Sequence, residues 1–301
     1  MAPTVSVILP VYNQARYIGA AVQSILQQTY QDFELLILDD GSTDGSAEVI
    51  AAHIQGNPKV TFLSRDHQGL VPTLHELLAQ AKGDYVARMD GDDIAHPERL
   101  EKQLKWIHQY QLDICGTFLT LTGQGRGLWR YPISHEGCEV ELLFGVPFGH
   151  PSVVAKKEIL NSLQYLQGFL CEDYDLWQRA WAVGGKMGNV PEPLLMYRIH
   201  HRQRSRSDRR IMIYQSSCIR HRHWQALLQK KLGWSPEQAK AANAHPWTWW
   251  RTAQLLRQTY QDPEARKRLG TAGLFRWCAH ELELALTRLG SPLAKGVSRC
   301  F

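Results

Sequence analysis

The chain has 301 residues, of which 44% are hydrophobic and 21% charged, and its formal net charge at pH 7 is +5. A chain of this size can bury a substantial core in one large domain or two modest ones. No apolar run approaches the roughly 20 residues of a membrane-spanning helix. The first residues lack the charged region and cleavage site of a signal peptide, so we expect a cytoplasmic protein. The six cysteines form no C-x-x-C pair, which argues against common zinc and redox motifs.

Strand-like and helix-like segments alternate over the first 110 residues. Short apolar runs predict the strands, and apolar residues at helical spacing predict the helices. The strands are predicted at 5–11, 34–39, 60–63 and 85–90; the helices follow Asn13, follow the turn at 39–46, lie near 70–81 and begin at Pro97. Asn13 is the expected N-cap of the first helix. This alternation indicates an α/β fold with a mostly parallel, doubly wound sheet flanked by helices.

The pattern is less regular after residue 110. Short strands are predicted near 113–121 and 187–199, and a helix at 173–184. These elements are expected to complete the sheet and build a second pocket wall. From about Ser205 onward, the sequence predicts helices throughout. We therefore expect a first domain over 1–201 and a C-terminal all-helical extension over 202–301.

The net charge of the chain changes sign at this boundary. Residues 202–301 contain 19 Lys and Arg against 6 Asp and Glu, net +13, whereas residues 1–201 are net −8. The basic part also holds six of the ten tryptophans. Such a segment suits an anionic membrane surface, nucleic acid or an acidic substrate, and the alternative is an ordinary solvated helical surface.

Carboxylates gather after two predicted strands, in ILDDGS and RMDGDD. Ligands of doubly wound sheets bind at these carboxyl ends. The closely spaced Asp90, Asp92 and Asp93 repel one another unless a cation or strong donors lie between them. Oxygen ligands suit Mg²⁺ or Mn²⁺, which also bind phosphate oxygens. The alternative is a solvated acidic turn that caps the next helix.

Five segments carry a family resemblance: VSVILPVYNQARYIGAAVQSILQQTYQDFELLILDDGSTDGS, ARMDGDDIAHPERL, FGHPSVV, CEDYDLWQRA and PEPLLMYRIH. In this order, over roughly residues 4–200, they resemble the family 2 glycosyltransferases with the GT-A fold. The resemblance implies an inverting enzyme that moves a sugar from a nucleotide diphosphate, with a UDP-sugar as the expected donor, to an acceptor hydroxyl. It also implies an Mn²⁺ or Mg²⁺ cofactor, a glycan or lipid-linked acceptor, and a role in bacterial surface glycan biosynthesis.

The resemblance implies donor-side roles for residues of the nucleotide-binding part, about 1–110. Those expected to bind the nucleotide-sugar are Pro10, Tyr12, Asp40 and Asp90. The helix near 70–81 lacks the Arg or Asn with which relatives often face the diphosphate, and Arg88 is expected to substitute for it. Asp92 would ligate the metal directly, with Asp90 and His200 as further metal-side residues. Gly91 stands where relatives commonly have Ala and is expected to loosen the turn.

The resemblance also implies acceptor-side roles in the part spanning about 111–201. Asp173 would be the catalytic base that takes the proton of the attacking hydroxyl. The alternative is that Glu172 and Asp173 only stabilise the start of a helix. His150 is a candidate for orienting the acceptor or the sheet. Trp177, four residues before Trp181, lies either in a core stripe or on an acceptor platform.

Two other functions compete with this interpretation. A metal-dependent nucleotidyltransferase would release pyrophosphate, and a silent nucleotide-sugar-binding scaffold would release nothing. The presence of Asp40, Asp90, Asp92 and Asp173 together argues against the scaffold. For residues 202–301 we expect peripheral contact with an anionic membrane on its cytoplasmic face, with packing against the catalytic domain or a second subunit as the alternative. No nucleic-acid partner is expected, because no known reader motif occurs.

Overall fold

The predicted alternation of strands and helices holds over the first 110 residues. The structure, a computed structural model, describes residues 3–142, 144–201, 209–232 and 235–237. The elements of this first part are β1 (Val5–Val11), α1 (Ile18–Leu26), β2 (Phe33–Asp39), α2 (Ser46–Ile54), β3 (Val60–Ser64), α3 (Leu70–Gln80), β4 (Tyr85–Arg88), β5 (Ile94–Ala95) and α4 (Arg99–Tyr110).

The later part combines two long strands with two strands of only three residues. Its elements are β6 (Ile114–Gly123), β7 (Gly127–Trp129), α5 (His135–Glu141), a 3₁₀ turn (His150–Ser152), β8 (Val154–Lys156), α6 (Lys157–Leu163), α7 (Glu172–Ala182), β9 (Met187–Ile199) and α8 (Arg209–Leu232). The helix expected from about Ser205 is present over Arg209–Leu232. Most of the remaining predicted extension lies outside the described residues, as does the position of the expected boundary near residue 202.

Nine strands among the described residues form one sheet in the order β3-β2-β1-β4-β8-β6-β9-β5, with β7 paired to β6. β1, β2, β3 and β4 are mutually parallel neighbours. β8 is antiparallel to both β4 and β6, whereas β6 and β9 are parallel. The α/β class is confirmed. The sheet is mixed because β8, which lies between β4 and β6, runs antiparallel to both of them.

The parallel register brings the carboxyl ends of β1, β2 and β4 to the same edge of the sheet. Val11 pairs with Asp39, and Ile8 pairs with Arg88. The segments that follow β1, β2 and β4 therefore leave the sheet on the same side. Both β1 and β2 are buried along their whole length, which is why they read as continuous apolar runs.

The chain divides into two compact units. One comprises the described residues of Met1–Cys138 and Val146–Ile213, and the other those of Glu139–Gly145 and from Tyr214 onward. In the second unit, His223 is buried and its Nε2 lies 3.4 Å from the carbonyl oxygen of Glu139. Among the described helices, none is long and apolar enough to cross a membrane.

Candidate active site

A cavity of about 1060 Å³ opens at the sheet edge where β1, β2 and β4 end. This is the edge at which ligands of parallel α/β sheets bind. The lining includes every residue predicted to bind the nucleotide-sugar or the metal: Pro10, Tyr12, Asp40, Arg88, Asp90, Asp92 and His200. It also includes His150, Glu172 and Asp173 from the predicted acceptor side. A single cavity thus brings together residues that are up to 190 positions apart in the sequence.

Asn13 joins the loops after β1 and β2 and does not cap α1. It has a positive φ of 53°. Its Oδ1 accepts a hydrogen bond from the backbone N–H of Thr43 at 2.9 Å, and its own N–H donates to Ser42 Oγ at 2.8 Å. The residue that precedes α1 is Tyr17, which makes no side-chain cap. The N-cap prediction was wrong because Asn13 forms a long-range contact between two loops of the cavity.

The adjacent carboxylates Asp39 and Asp40 have different partners. Asp39 is buried and accepts hydrogen bonds from the hydroxyls of Ser42 and Ser64, so it holds the turn after β2. Asp40 accepts from the backbone N–H groups of Gln68 at 3.0 Å and Gly69 at 2.7 Å. Asp39 is therefore structural, whereas Asp40 reaches the cavity wall.

Two basic side chains complete the surroundings of Asp40. Arg65 Nη2 lies 3.1 Å from Oδ1, and His67 Nδ1 lies 2.9 Å from Oδ2. The His67 ring also stacks on Tyr12, with centroids 4.0 Å apart and planes tilted by 27°. Sequence reasoning missed both basic residues. They follow β3, which is parallel to β2, so the strand-end rule that pointed to Asp40 also points to them.

Three carboxylates form an acidic cluster after β4. One oxygen from each of Asp90, Asp92 and Asp93 lies within 4.8 Å of the others. Arg88 binds Asp90 through two contacts, at 2.6 Å and 2.5 Å. His200 Nε2 lies 2.8 Å from Asp92 Oδ2. β4, the following loop and the end of β9 thus fix the cluster.

Asp93 is the least compensated member of the cluster. Its Oδ1 accepts from the backbone N–H of Arg198 at 2.9 Å, but its buried Oδ2 has no hydrogen-bond partner among the described residues. Burial, together with the charges of Asp90 and Asp92, raises the pKa of Asp93 well above its usual range. Burial also raises the pKa of Asp90, although Arg88 opposes this effect. Such a cluster of buried oxygen ligands with an unpartnered oxygen fits a divalent cation.

Gly91 packs closely against the segment that leads into α1. A Cβ at this position would lie inside contact distance of Gln14 Oε1 and 2.9 Å from Ile18 Cδ1. An alanine here would therefore require the ends of the Gln14 and Ile18 side chains to move. That glycine loosens the acidic turn stays a prediction.

The buried side chain of Arg99 stabilises the end of β4, where the acidic turn begins. Arg99, on α4, donates from Nη2 to the carbonyl oxygen of Arg88 at 2.7 Å and from Nε to Gln103 at 3.0 Å. Gln103 in turn donates to the carbonyl oxygens of Cys115 and Ser152. Burial lowers the pKa of Arg99 to about 9. Together these side chains hold the end of β4 against β6 and the 3₁₀ turn.

The other cavity wall is formed partly by the first turn of α7. Glu172 is buried and Asp173 is half-buried, and Asp173 Oδ1 accepts the N–H of Tyr174 at 2.8 Å. Asp173 adds to the effects that raise the pKa of Asp90, so the two walls interact electrostatically. His150 lies on the same wall, with Nε2 2.9 Å from the hydroxyl of Tyr165.

Trp177 lies in the core and not on the cavity wall. Its exposed fraction is 0%, and its ring packs edge-on against Phe148 and His150. The acceptor-platform interpretation is corrected accordingly, and the alternative of a core stripe holds for Trp177 and Trp181, both buried. The exposed aromatic residues of the cavity come from other elements, β7 and the loop after β1.

The chain is similar to known proteins in sequence and in fold. Residues 6–181 match the model of a family described as Glycosyl transferase family 2. Over 210 residues the chain is 33% identical to the O-antigen biosynthesis glycosyltransferase WbnJ of Escherichia coli, covering 67% of this chain and 82% of that protein.

Two solved structures share the fold. TarS residues 1–349 of S. aureus, in complex with UDP-GlcNAc, superposes with a TM-score of 0.64 at 16% identity, covering 97% of this chain and 93% of that chain. The mannosyltransferase PcManGT from Pyrobaculum calidifontis, in complex with GDP-Man and Mn²⁺, gives a TM-score of 0.55 at 18% identity, covering 99% and 85%. At these identities the likeness concerns the fold alone, and the expected GT-A-type fold is confirmed.

Proposed function

Because this chain belongs to glycosyl transferase family 2 and is therefore a glycosyltransferase, we propose that it transfers a sugar with inversion from a nucleoside diphosphate to an acceptor hydroxyl. The observation that carries the proposal is one cavity with Asp90 and Asp92 of the acidic cluster on one wall and Glu172 and Asp173 on another. The nucleotidyltransferase and silent-scaffold alternatives become outcomes of the test below.

The donor is proposed to be a UDP-sugar used in bacterial surface glycan assembly. The relative WbnJ is named for O-antigen biosynthesis, and the TarS structure holds UDP-GlcNAc. Pro10, Tyr12 and Asp40 would form the base pocket, with the ring of Tyr12 as the stacking face. Asp40 already has four donors around it, so a ring N–H of a base would take the place of one of them. His67 is the donor best suited to yield, because its side chain is half exposed.

Asp90 and Asp92 would hold the metal, and the buried carboxylate of Asp93 lies beside them. Mn²⁺ or Mg²⁺ bound there would offset the negative charge that develops on the departing diphosphate. His200 beside Asp92 orients that carboxylate. Arg88 holds Asp90 by both of its oxygens, which fixes the carboxylate toward the cavity.

Asp173 is proposed as the base for the acceptor. The acceptor oxygen forms a bond to the anomeric carbon while the bond from that carbon to the diphosphate breaks. The hydroxyl proton passes to the Asp173 carboxylate, and the electron pair of the broken bond stays with the nucleoside diphosphate. Attack opposite the leaving group inverts the anomeric configuration. A well-placed base of this kind contributes about 10²- to 10⁴-fold to the rate.

A donor panel tests the proposal. Thermal unfolding of the full chain is measured with UDP-, GDP- and dTDP-sugars, each with Mn²⁺ or with EDTA, since a ligand at 100 times its Kd adds about 2.7 kcal/mol to the free energy of unfolding. The stabilising donor is then incubated with glycan acceptors, and products are identified. Nucleoside diphosphate release with an inverted glycoside supports the proposal. Pyrophosphate release would indicate a nucleotidyltransferase, and binding without any product would indicate a scaffold.

A further inference from the structure

Two aromatic side chains of the cavity are not accounted for by donor binding. Trp129 is the last residue of β7, and Tyr131 follows two residues later; both line the cavity. We call this pair the aromatic shelf. Trp129 is 44% exposed, in contrast to the fully buried Trp177. An indole with this much surface on a cavity wall is a common feature of ligand sites, where an aromatic face is offered to a partner.

Strand pairing fixes where the shelf lies. Trp129 pairs with Leu119 on one side of β6, and Tyr197 pairs with Leu121 on the other. Leu119 and Leu121 are two residues apart, so Trp129 and Tyr197 lie on the same face of the sheet. Their rings meet across β6, with centroids 5.4 Å apart and planes tilted by 32°.

Tyr197 connects the shelf to the acidic cluster. Burial above all, and then the charges of Asp90, Asp93 and Asp92, raise the pKa of the Tyr197 hydroxyl. Tyr197 also lines the cavity. Arg198, the residue after Tyr197, donates its backbone N–H to Asp93 Oδ1 at 2.9 Å, so β9 runs from the shelf to the acidic cluster. This is a suitable position for the sugar ring that accepts the transferred sugar.

We propose that Trp129, with Tyr131, is the platform on which a sugar ring of a glycan acceptor lies. This inference rests on the proposed function. The C–H bonds on one face of a pyranose are weakly positive and match the negative face of an indole. Its hydroxyls need hydrogen-bonding groups at the edge of the ring, and the same cavity presents His150, Glu172 and Asp173. An acyl or polyprenyl chain would instead need an uninterrupted apolar wall, so the occupant of the shelf is the saccharide.

Glycan binding in the absence of donor tests the platform. The fluorescently labelled full chain is applied to an array of bacterial and synthetic glycans, and the Kd of its best ligand is measured by titration. Wild type is compared with Trp129→Ala, with Trp129→Phe, which keeps an aromatic face, and with Tyr110→Ala. Tyr110 is the matched control because it is 49% exposed on α4 and does not line the cavity. UDP affinity and the unfolding midpoint are measured on the same samples.

The platform predicts that Trp129→Ala weakens the Kd for the glycan by about 10-fold or more, as expected when an aromatic contact worth about 1.5 kcal/mol is lost. Trp129→Phe should recover most of the affinity, and Tyr110→Ala should bind as wild type does. Equal affinity of Trp129→Ala and wild type for the glycan would overturn the proposal, as would the absence of any bound glycan on the array. If instead the donor panel gives no nucleoside diphosphate while the Trp129 variants still differ in glycan binding, the proposed reaction fails and the platform stands.

Discussion

At the level of single residues, the carboxylates of the cavity differ in what already compensates their charge. Asp40 is surrounded by two backbone N–H groups and two basic side chains. Asp90 has Arg88, and Asp92 has His200. Asp93 has one backbone N–H and a buried oxygen that no described residue hydrogen-bonds. The uncompensated negative charge is thus concentrated after β4, which is where a cation would be bound most strongly.

Asp92→Asn should weaken Mn²⁺ binding and stop metal-dependent transfer while the fold is retained. The substitution removes one negative charge at nearly constant shape. Changes even to residues that only support metal ligands typically cost about 10- to 100-fold in affinity, so we expect a loss of about 100-fold or more. Mn²⁺ affinity is measured by calorimetry, with Asp84→Asn as an exposed control outside the cavity. Unchanged Mn²⁺ affinity in Asp92→Asn would remove Asp92 from the metal site.

Asp173→Asn should separate donor binding from transfer. The amide keeps the size of the carboxylate but cannot accept the acceptor proton, so we expect transfer to fall by about 10² or more. The affinity for the nucleotide should stay within about 2-fold, because Asp173 lies on the acceptor wall. Glu172→Gln is made in parallel. If Glu172→Gln loses transfer and Asp173→Asn does not, the base is Glu172.

At the level of elements, the sequence predicted the long segments well. β1 has the predicted bounds, and α3 and β9 lie within a residue or so of theirs. The short strands β5, β7 and β8 were not predicted, because strands of two or three residues have no periodicity to detect and form only where a distant partner is in register.

The residues whose roles were predicted wrongly are also explained by contacts with distant parts of the chain. Asn13 bonds to the loop after β2, and Trp177 is enclosed by Phe148 and His150. Each of these contacts joins residues far apart in the chain. Residues inside a family motif, such as Asp92, could be predicted because the motif itself carries the information, whereas the partners of Asp40 and the aromatic shelf lie outside the quoted motifs.

Helix α8 should show an acid-sensitive contribution to stability through His223. Burial lowers the pKa of His223 to about 4, against 6.5 for an ordinary histidine. Between these values the unfolded chain binds more protons than the folded chain, so the free energy of unfolding falls as the pH falls from about 6.5 to 4. The full effect of one such group is at most about 3 kcal/mol.

Circular dichroism of wild type and His223→Gln at pH 7 and pH 5 measures this contribution. His223→Gln cannot gain a proton in the unfolded state, so it should lose less stability on acidification than wild type does. His221→Gln, a change two residues earlier in the same helix at a half-buried histidine, serves as the control. An equal acid response of wild type and His223→Gln would show that His223 does not cause it.

At the level of the whole molecule, we propose that the acidic part, residues 1–201, and the basic part, residues 202–301, have different roles. The net negative charge of residues 1–201 includes the acidic cluster and the carboxylates of α7, which would bind a cation and activate a hydroxyl. The net positive charge of residues 202–301 has no counterpart in this chemistry. A glycan acceptor that is linked to a lipid would be presented at a membrane surface, so a basic segment with six tryptophans is suited to keep the enzyme there.

Binding of the full chain to anionic vesicles should therefore be strong at low salt and weak at high salt. Each basic residue near such a surface contributes about 1 kcal/mol and acts only within a Debye length. Arg204→Gln/Arg206→Gln should lower co-sedimentation with phosphatidylglycerol vesicles, whereas Lys105→Gln/Lys186→Gln, which removes two exposed charges from the catalytic part, should not. Neutral phosphatidylcholine vesicles give the background. If the full chain does not pellet with anionic vesicles, or if both double variants lose binding equally, the basic segment is not a membrane contact and packing within the protein becomes its function.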